Sequence, residues 1–463
     1  MSTESELSPM EALSGYIAAA AATPLPDRVV EKTKFHLLDT IAAIVSGATL
    51  LPGQKAIEYA GLLGGKPEAT VIGTNIKTSV ANAALANGML AHADETDDSH
   101  KASRSHPGCA VVPAALAIAQ KNGTSGAALL RGIAVGYDVG ARINRALSTQ
   151  KLYDAGHATH AFAGLFGATT AAGALENLSA QQCRWLMSYA AQQAAGITSW
   201  RRDPEHIEKA FCFGGMPARN GVTAATMVAA GFTGVDDVFS GPRNFFMAFG
   251  QDPNPSLLSE GLGSRFEIME TTLKKWSVGS PNQAVLDMGQ AMQQEHGIAA
   301  SDVKRISLVM SMKETVVAGQ SMPDINGKHL LSLMLLDGTL TFASSHDHER
   351  MHDPVVLEFQ QKIDLSFDPS VEHRKPVMHI EMNDGRVFTR PAEAVRGTPD
   401  NPMTKEDVLT KARDLLTPTL GAAGCEAVID AVWKLDSAAN ITSLMATVQS
   451  DAPKAKKFGG ASS

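Results

Sequence analysis

With 463 residues, 44% of them apolar, 19% charged and 5% aromatic, the chain has the composition of a globular protein with room for two or so domains, in which Ala and Gly replace aromatic bulk. A formal net charge of −8 argues against a general nucleic-acid or anionic-membrane partner. Cys109, Cys183, Cys212 and Cys425 are widely spaced and form no CxxC, which points to a reducing compartment rather than a disulfide frame or a zinc ribbon.

The N-terminal GYIAAAAA is apolar like a signal core, but its leader MSTESELSPMEA is acidic where a signal peptide carries positive charge. No uninterrupted apolar run reaches membrane-spanning length. The NGT, NLS and NIT tripeptides at 122, 177 and 440 would matter only in a secreted chain. The expected location is cytoplasmic. Residues 8–250 read mostly as helix. Leu37, Leu38, Ile41, Ile44 and Val45 recur at helical spacing before a stop at Gly47, and residues 79–91 form a small-residue helix. In 126–148, Gly132, Gly136 and Gly140 fall four apart, near one helical face, where a neighbouring helix can approach closely. Arg131, Asp138 and Arg142 argue against a membrane version of that pattern. Segments 163–176 and 216–231 repeat the Ala/Gly-rich habit.

The texture changes after about 265. VKRISLVMS (303–311) has strand composition, HLLSLMLLDG (329–338) reads as a helix with a Gly stop, and PVMHIEMNDGRVFTRP (376–391) is a hairpin turning at Asn383-Asp384-Gly385. PDNPMT (399–404) then separates a last helical region, 405–447. The expected fold is therefore mainly α: a large all-helical domain from 1–265 and 405–450, a smaller α+β lid domain over 266–404, and a disordered tail over 451–463.

The densest collection of proton-active side chains is HADETDDSHKASRSHPG (92–108), with Asp94, Glu95, Asp97 and Asp98 among His92, His100 and His106. Three readings stand open: a metal site, an acid/base site, or a solvated polar loop. The stretch offers metal-ligand types but no HExxH, Cys cluster or EF-hand spacing. Acid/base work on a carboxylate needs a base and cations. YDAGHATHAFAGLFGA (153–168) offers His157 and His160, HIEKAFCFGGMPARNG (206–221) offers Lys209 and Arg219, and LKKWSVGSPNQ (273–283) offers Lys274, Lys275, Ser280 and Gln283. Each has a bland alternative as a surface charge or a structural histidine, and Cys212 reads more readily as a small core residue than as a nucleophile.

Taken in order, FHLLDTIAAIVSGA (35–48), ANGMLAHADETDDSHKASRSHPG (86–108), GHATHAFAGLFGATTAAG (156–173), KAFCFGGMPARNG (209–221) and LLSLMLLDG (330–338) resemble the MmgE/PrpD family over residues 8–450. The resemblance implies a helical domain built from both chain ends, a lid, a homodimer, and a cleft between the domains for a small polycarboxylate substrate. It places the family's acidic-loop aspartate on Glu95, its Asp-Asp-Thr on Asp97-Asp98-Ser99, and its His-Pro histidine on His106 after one extra residue. Its glycine-segment histidine falls on His157, and its two lysines on Lys209 and Lys274. Cys212 stands where a histidine is expected and His329 where a tyrosine is expected, and Gly279, Ser280 and Gln283 occupy a stretch whose histidines are absent.

The resemblance thus implies His106, His157, Lys209 and Lys274 as catalytic residues meeting in one pocket. Glu95, Asp98, Ser99, Ser280, Gln283 and His329 would bind substrate. No cofactor and no metal are expected. The chemistry implied is a lyase, dehydratase or decarboxylase, working through α-proton abstraction and an enolate-like intermediate. An epimerase of a related dicarboxylate and a silent carboxylate-binding protein are the alternatives.

Overall fold

The computed structural model describes residues 7–451, so the expected tail lies outside the described residues from 452 on. Helix accounts for 58% of the described residues and strand for 9%, which makes them mainly α. The described residues form two compact units: 7–93, 97–272 and 415–451 in the first, and 94–96 with 273–414 in the second. The seams at 272/273 and 414/415 lie several residues beyond the changes in composition, and the tripeptide Asp94–Thr96 joins the second unit with no compositional signal at all.

In the first unit, α1 (Asp27–Gly47) turns buried along the run predicted from residues 35–48. Helix α2 (Val80–Ala91) starts where the Ser79 hydroxyl accepts from Asn82 N, and α3 (Gly108–Asn122) stops at Gly123 in the left-handed conformation. Ser125 caps α4 (Gly126–Ala146). Helix α5 (Thr159–Leu175) is buried on every face, as an apolar, small-residue helix must be, and packs against α3, α4 and α6 (Met216–Ala229). The glycines of α4 permit that packing. A Cβ on Gly136 would stand 2.8 Å from the Gly167 carbonyl oxygen, and one on Gly167 would stand 2.8 Å from that of Gly136. Besides its helices the first unit carries two-residue antiparallel ladders, Ala69–Thr70 with Lys77–Thr78 and Ser99–His100 with Thr271–Thr272, which tie loops together.

In the second unit, α7 (Asn282–His296) and α8 (Gly327–Asp337) cover one face of a four-stranded sheet. Its strands are β1 (Val303–Ser311), β2 (Ile363–Asp368), β3 (Val377–Met382) and β4 (Val387–Pro391), in the order β2-β1-β3-β4. Strands β1 and β2 run parallel, so the chain must cross over between them, and it does so through α8. The β3–β4 pair is the predicted hairpin, with Gly385 at φ +86°. Period-two alternation puts Ile306, Leu308 and Met310 of β1 and Met378, Ile380 and Met382 of β3 into the core, against Val285, Met288, Leu331 and Leu335 of the helices.

Helix α9 (Lys405–Trp433) is long and apolar enough to cross a membrane by length and composition alone, although no uninterrupted apolar run marks it in the sequence. Its backbone is broken at Gly421 (φ +70°, ψ +169°), three residues after Pro418, so it is two helices meeting at a kink.

Candidate active site

The polar stretch is mostly buried rather than a solvated loop, with Lys101 and Ala102 its exposed residues. Asp97 and Asp98 are completely buried, as is His92. Adjacent in sequence, the two aspartates serve different networks. Asp98 turns to the helices. Its Oδ2 accepts from His36 Nδ1 of α1 (2.7 Å) and from the Tyr137 hydroxyl of α4 (2.7 Å), and its Oδ1 accepts from Gly108 N at the start of α3 (3.0 Å). Asp97 instead lies between two histidines, its Oδ2 facing His92 Nδ1 at 2.9 Å and its Oδ1 facing His106 Nδ1 at 3.0 Å. Burial alone would raise the Asp97 carboxyl, but the two imidazoles overcome it and hold the group well below the usual carboxylate range. Burial pushes His92 down, against the pull of Asp97. An ionised Asp97 accepts from both rings, which puts the protons on Nδ1 and leaves Nε2 as the basic nitrogen of each neutral imidazole.

A third element closes on these rings. Between Ala210 and Met216 the chain makes a π-helical turn, Phe211–Gly215. A glycine of α2 permits contact between that helix and the turn: a Cβ on Gly88 would sit 2.5 Å from the carbonyl oxygen of Gly214 in the turn. That approach brings the Phe213 ring onto His92, with centroids 4.5 Å apart. His160, in the first turn of α5, stacks on Phe213 at 3.8 Å and lies 5.4 Å from His106, while Trp200 meets both His160 and Phe213 edge-on. The Lys209 ammonium stands 5.3 Å from the centroids of both Trp200 and Phe213. His206, buried and with φ +62°, is 5.2 Å from His92. Burial, and then the charges of His106 and Lys209, push His160 well below an ordinary histidine.

The expected site residues therefore divide. His106 and Lys209 belong to this cluster. His157 does not join it: it lies before α5, pairs with Ile197 in an isolated bridge, and packs against Phe162 and Phe249. His160 takes the place expected of it. The signal was present, because 160, 164 and 167 share one helical face with the glycines of HATHAFAGLFG, whereas 157 precedes the helix. Asp98, expected to bind substrate, spends both oxygens on His36, Tyr137 and Gly108, so its role is to join three helices. Ser99 is half-buried and pairs with Thr272. Cys212 is buried, which pushes its thiol up to about 12 and leaves it unfit for the proton transfer a histidine could perform there.

The remaining expected residues lie in the second unit. Lys274 is buried. Its Nζ donates to the Glu95 carbonyl oxygen at 2.6 Å and stands 3.7 Å from Glu95 Oε2. Gln283, expected to bind substrate, is consumed structurally: it accepts from Trp276 N and donates to the Trp276 and Val278 carbonyls. Ser280 is half-buried just ahead of α7. His329 is buried in α8 with both ring nitrogens lacking a hydrogen-bond partner among the described residues, and burial pushes it down to about 4. A residue without any sequence signal, His346, reaches Asp94 Oδ2 with Nε2 at 2.8 Å while its Nδ1 faces the Phe342 carbonyl at 2.9 Å. Lys411 Nζ donates to the Thr96 carbonyl at 2.9 Å, so three basic side chains hold the tripeptide Asp94–Thr96.

The ligand atoms of His92, Asp97 and His106 lie within 4.8 Å of one another, a spacing compatible with a divalent ion. Each Asp97 oxygen, however, already faces an imidazole Nδ1 at hydrogen-bond distance, so the observed contacts are those of a hydrogen-bonded triad.

Comparison with known proteins gives two family-model matches, the MmgE/PrpD N-terminal domain over residues 11–258 and the MmgE/PrpD C-terminal domain over 276–435. Among curated relatives, the cis-aconitate decarboxylase of Homo sapiens is 24% identical over 454 residues, covering 93% of this chain and 92% of that protein. The cis-aconitate decarboxylase of Aspergillus terreus (strain NIH 2624 / FGSC A1156) is 24% identical over 459 residues, covering 92% of each. The cis-aconitate decarboxylase-like protein oryM of Aspergillus oryzae is 21% identical over 472 residues, covering 95% of this chain and 97% of that protein.

Proposed function

Because the chain belongs to the MmgE/PrpD family, we propose that it is a lyase, a decarboxylase or dehydratase, acting on a small di- or tricarboxylic acid, with His106 as the proton-transfer group. The observation that carries the proposal is the Asp97–His106 contact. A buried, ionised carboxylate holds Nδ1–H, so Nε2 carries the lone pair and the imidazolium that forms on protonation is stabilised in place. Lys209, half-buried among aromatic faces, supplies positive charge in surroundings that screen it less than water does.

In dehydration, His106 Nε2 takes the proton from the carbon beside a carboxylate. The C–H electrons pass into an enolate-like system that the cation stabilises, and hydroxide leaves from the neighbouring carbon. In decarboxylation, CO2 departs with cleavage of the C–C bond, and the electrons left on carbon take a proton from the His106 imidazolium. Both reactions need one histidine that can take up a proton and return it.

The test is incubation with a panel of hydroxy- and unsaturated polycarboxylates, cis-aconitate included, in deuterated water. CO2 release or water loss with deuterium entering the product supports the lyase. Deuterium exchange with inversion and no net loss would assign an epimerase. Saturable binding without either would assign a binding protein.

A further inference from the structure

The proposed reaction creates negative charge on a carboxylate oxygen at the moment the proton moves, and a base alone does not meet that charge. A neutral imidazole can do so as a hydrogen-bond donor: it does not give up its proton, and its donor strength is closer to that of the developing enolate than an imidazolium's would be. His160 has the properties this role demands. It is almost fully buried, its ring plane lies 11° from that of Phe213, and Trp200 meets it at 88°, so its orientation is fixed by packing. Its ring centroid is 5.4 Å from that of His106. Its Nδ1 is buried without a hydrogen-bond partner among the described residues. Leaving such a group unpaired is unfavourable, and a ligand hydrogen bond would remove that penalty. His106 and Lys209 both oppose a charge on it, as does its place in the first turn of a 17-residue helix.

We propose that His160 is a catalytic residue that works as a neutral imidazole, donating a hydrogen bond to the enolate-like oxygen while His106 carries the proton. The proposal rests on the carboxylate-lyase reading above and replaces the histidine that alignment of the glycine-rich segment suggests, His157.

The test compares binding of the nitronate form of 3-nitropropionate, whose deprotonated nitro group imitates an enolate, with binding of succinate, a resting dicarboxylate. The wild type is expected to prefer the nitronate. His160→Phe keeps the stack on Phe213 and should lower nitronate affinity by roughly 10²-fold while leaving succinate within about threefold. His160→Gln retains an N–H of similar reach and should hold most of the preference, which guards against a folding defect in the first variant. His157→Phe should leave both affinities unchanged. If His160→Phe keeps the nitronate preference, or His157→Phe loses it, the assignment of His160 is overturned while the carboxylate reading stands. If the wild type binds neither compound, the carboxylate reading itself falls and His160 falls with it.

Discussion

The His346–Asp94 pair makes a quantitative prediction. Burial alone would lower the imidazole, but Asp94 at 2.8 Å and the Phe342 carbonyl at 2.9 Å hold a proton on each ring nitrogen and raise the group from its ordinary 6.5 to about 9. A raised pKa means that the folded state binds the proton more tightly than the unfolded chain does. The stabilisation is therefore complete below pH 6.5 and is lost as pH rises through about 9. At about 1.4 kcal/mol for each tenfold change in proton affinity, the shift stabilises the second unit by about 3 kcal/mol. For a unit of this size that is roughly 6–12 °C in melting temperature.

The assay is thermal unfolding of wild type and His346→Gln at intervals from pH 6 to pH 10. The wild type should be the more stable at the acid end, and the gap should narrow steadily between pH 6.5 and about 9. Asp94→Asn should remove the same slope, and adding it to His346→Gln should change little further, since the two residues act as one interaction. A gap that stays constant across this range would refute the reasoning, because it would mean that no proton is bound preferentially by the folded pair.

Four further outcomes are expected. Asp97→Asn lets an amide donor face His106 Nδ1 and favours the wrong tautomer, so kcat should fall roughly a thousandfold with KM little changed, as single-turnover rates would show. Gly88→Val drives a side chain into the Gly214 carbonyl 2.5 Å from the ideal Cβ position, and should cost roughly 1–3 kcal/mol in urea unfolding along with activity, through displacement of Phe213. Leu308→Ala empties a fully buried position on β1 and should cost about 2–5 kcal/mol without altering the His106 site, so turnover per folded molecule stays normal. Exhaustive chelation should leave turnover unchanged, and activity lost to a chelator and restored by one particular metal would reverse that reading.

How far the sequence discloses this molecule depends on whether a residue's role is set locally. Strand β1, the β3–β4 hairpin and the Gly338 stop after α8 were legible because period-two alternation, turn chemistry and a left-handed cap are local properties. The seam at 414/415 was not, because it falls within α9, where composition does not change. His106 and Lys209 were legible through resemblance. The resemblance singles out His157 because alignment follows chain order, whereas the histidine that packs beside His106 is His160, three residues on, because α5 begins at Thr159. Gln283 shows the opposite failure. Its residue type suits substrate binding, but the loop it closes has backbone groups at Trp276 and Val278 that need partners, and a buried amide serves them.

The four acidic residues of 92–108 show why type and proximity alone do not assign a role. Asp94 meets an imidazole of the second unit and fixes its charge. Glu95 is held through its backbone carbonyl by Lys274, which leaves its carboxylate at the longer distance of 3.7 Å. Asp97 is shared between two imidazoles of the first unit, and Asp98 bonds three helices. Burial opposes the ionised form of Asp94, Asp97 and Asp98, so each of these carboxylates needs its own partners to remain charged, and those partners come from segments as distant in sequence as His36 and His346. A stretch this acidic can therefore be buried only in a fold that delivers a separate set of donors to each carboxylate. The same packing links these contacts to the fold: Asp97 faces His106 with one oxygen and His92 with the other, and the Phe213 turn packs onto His92 where Gly88 leaves it room.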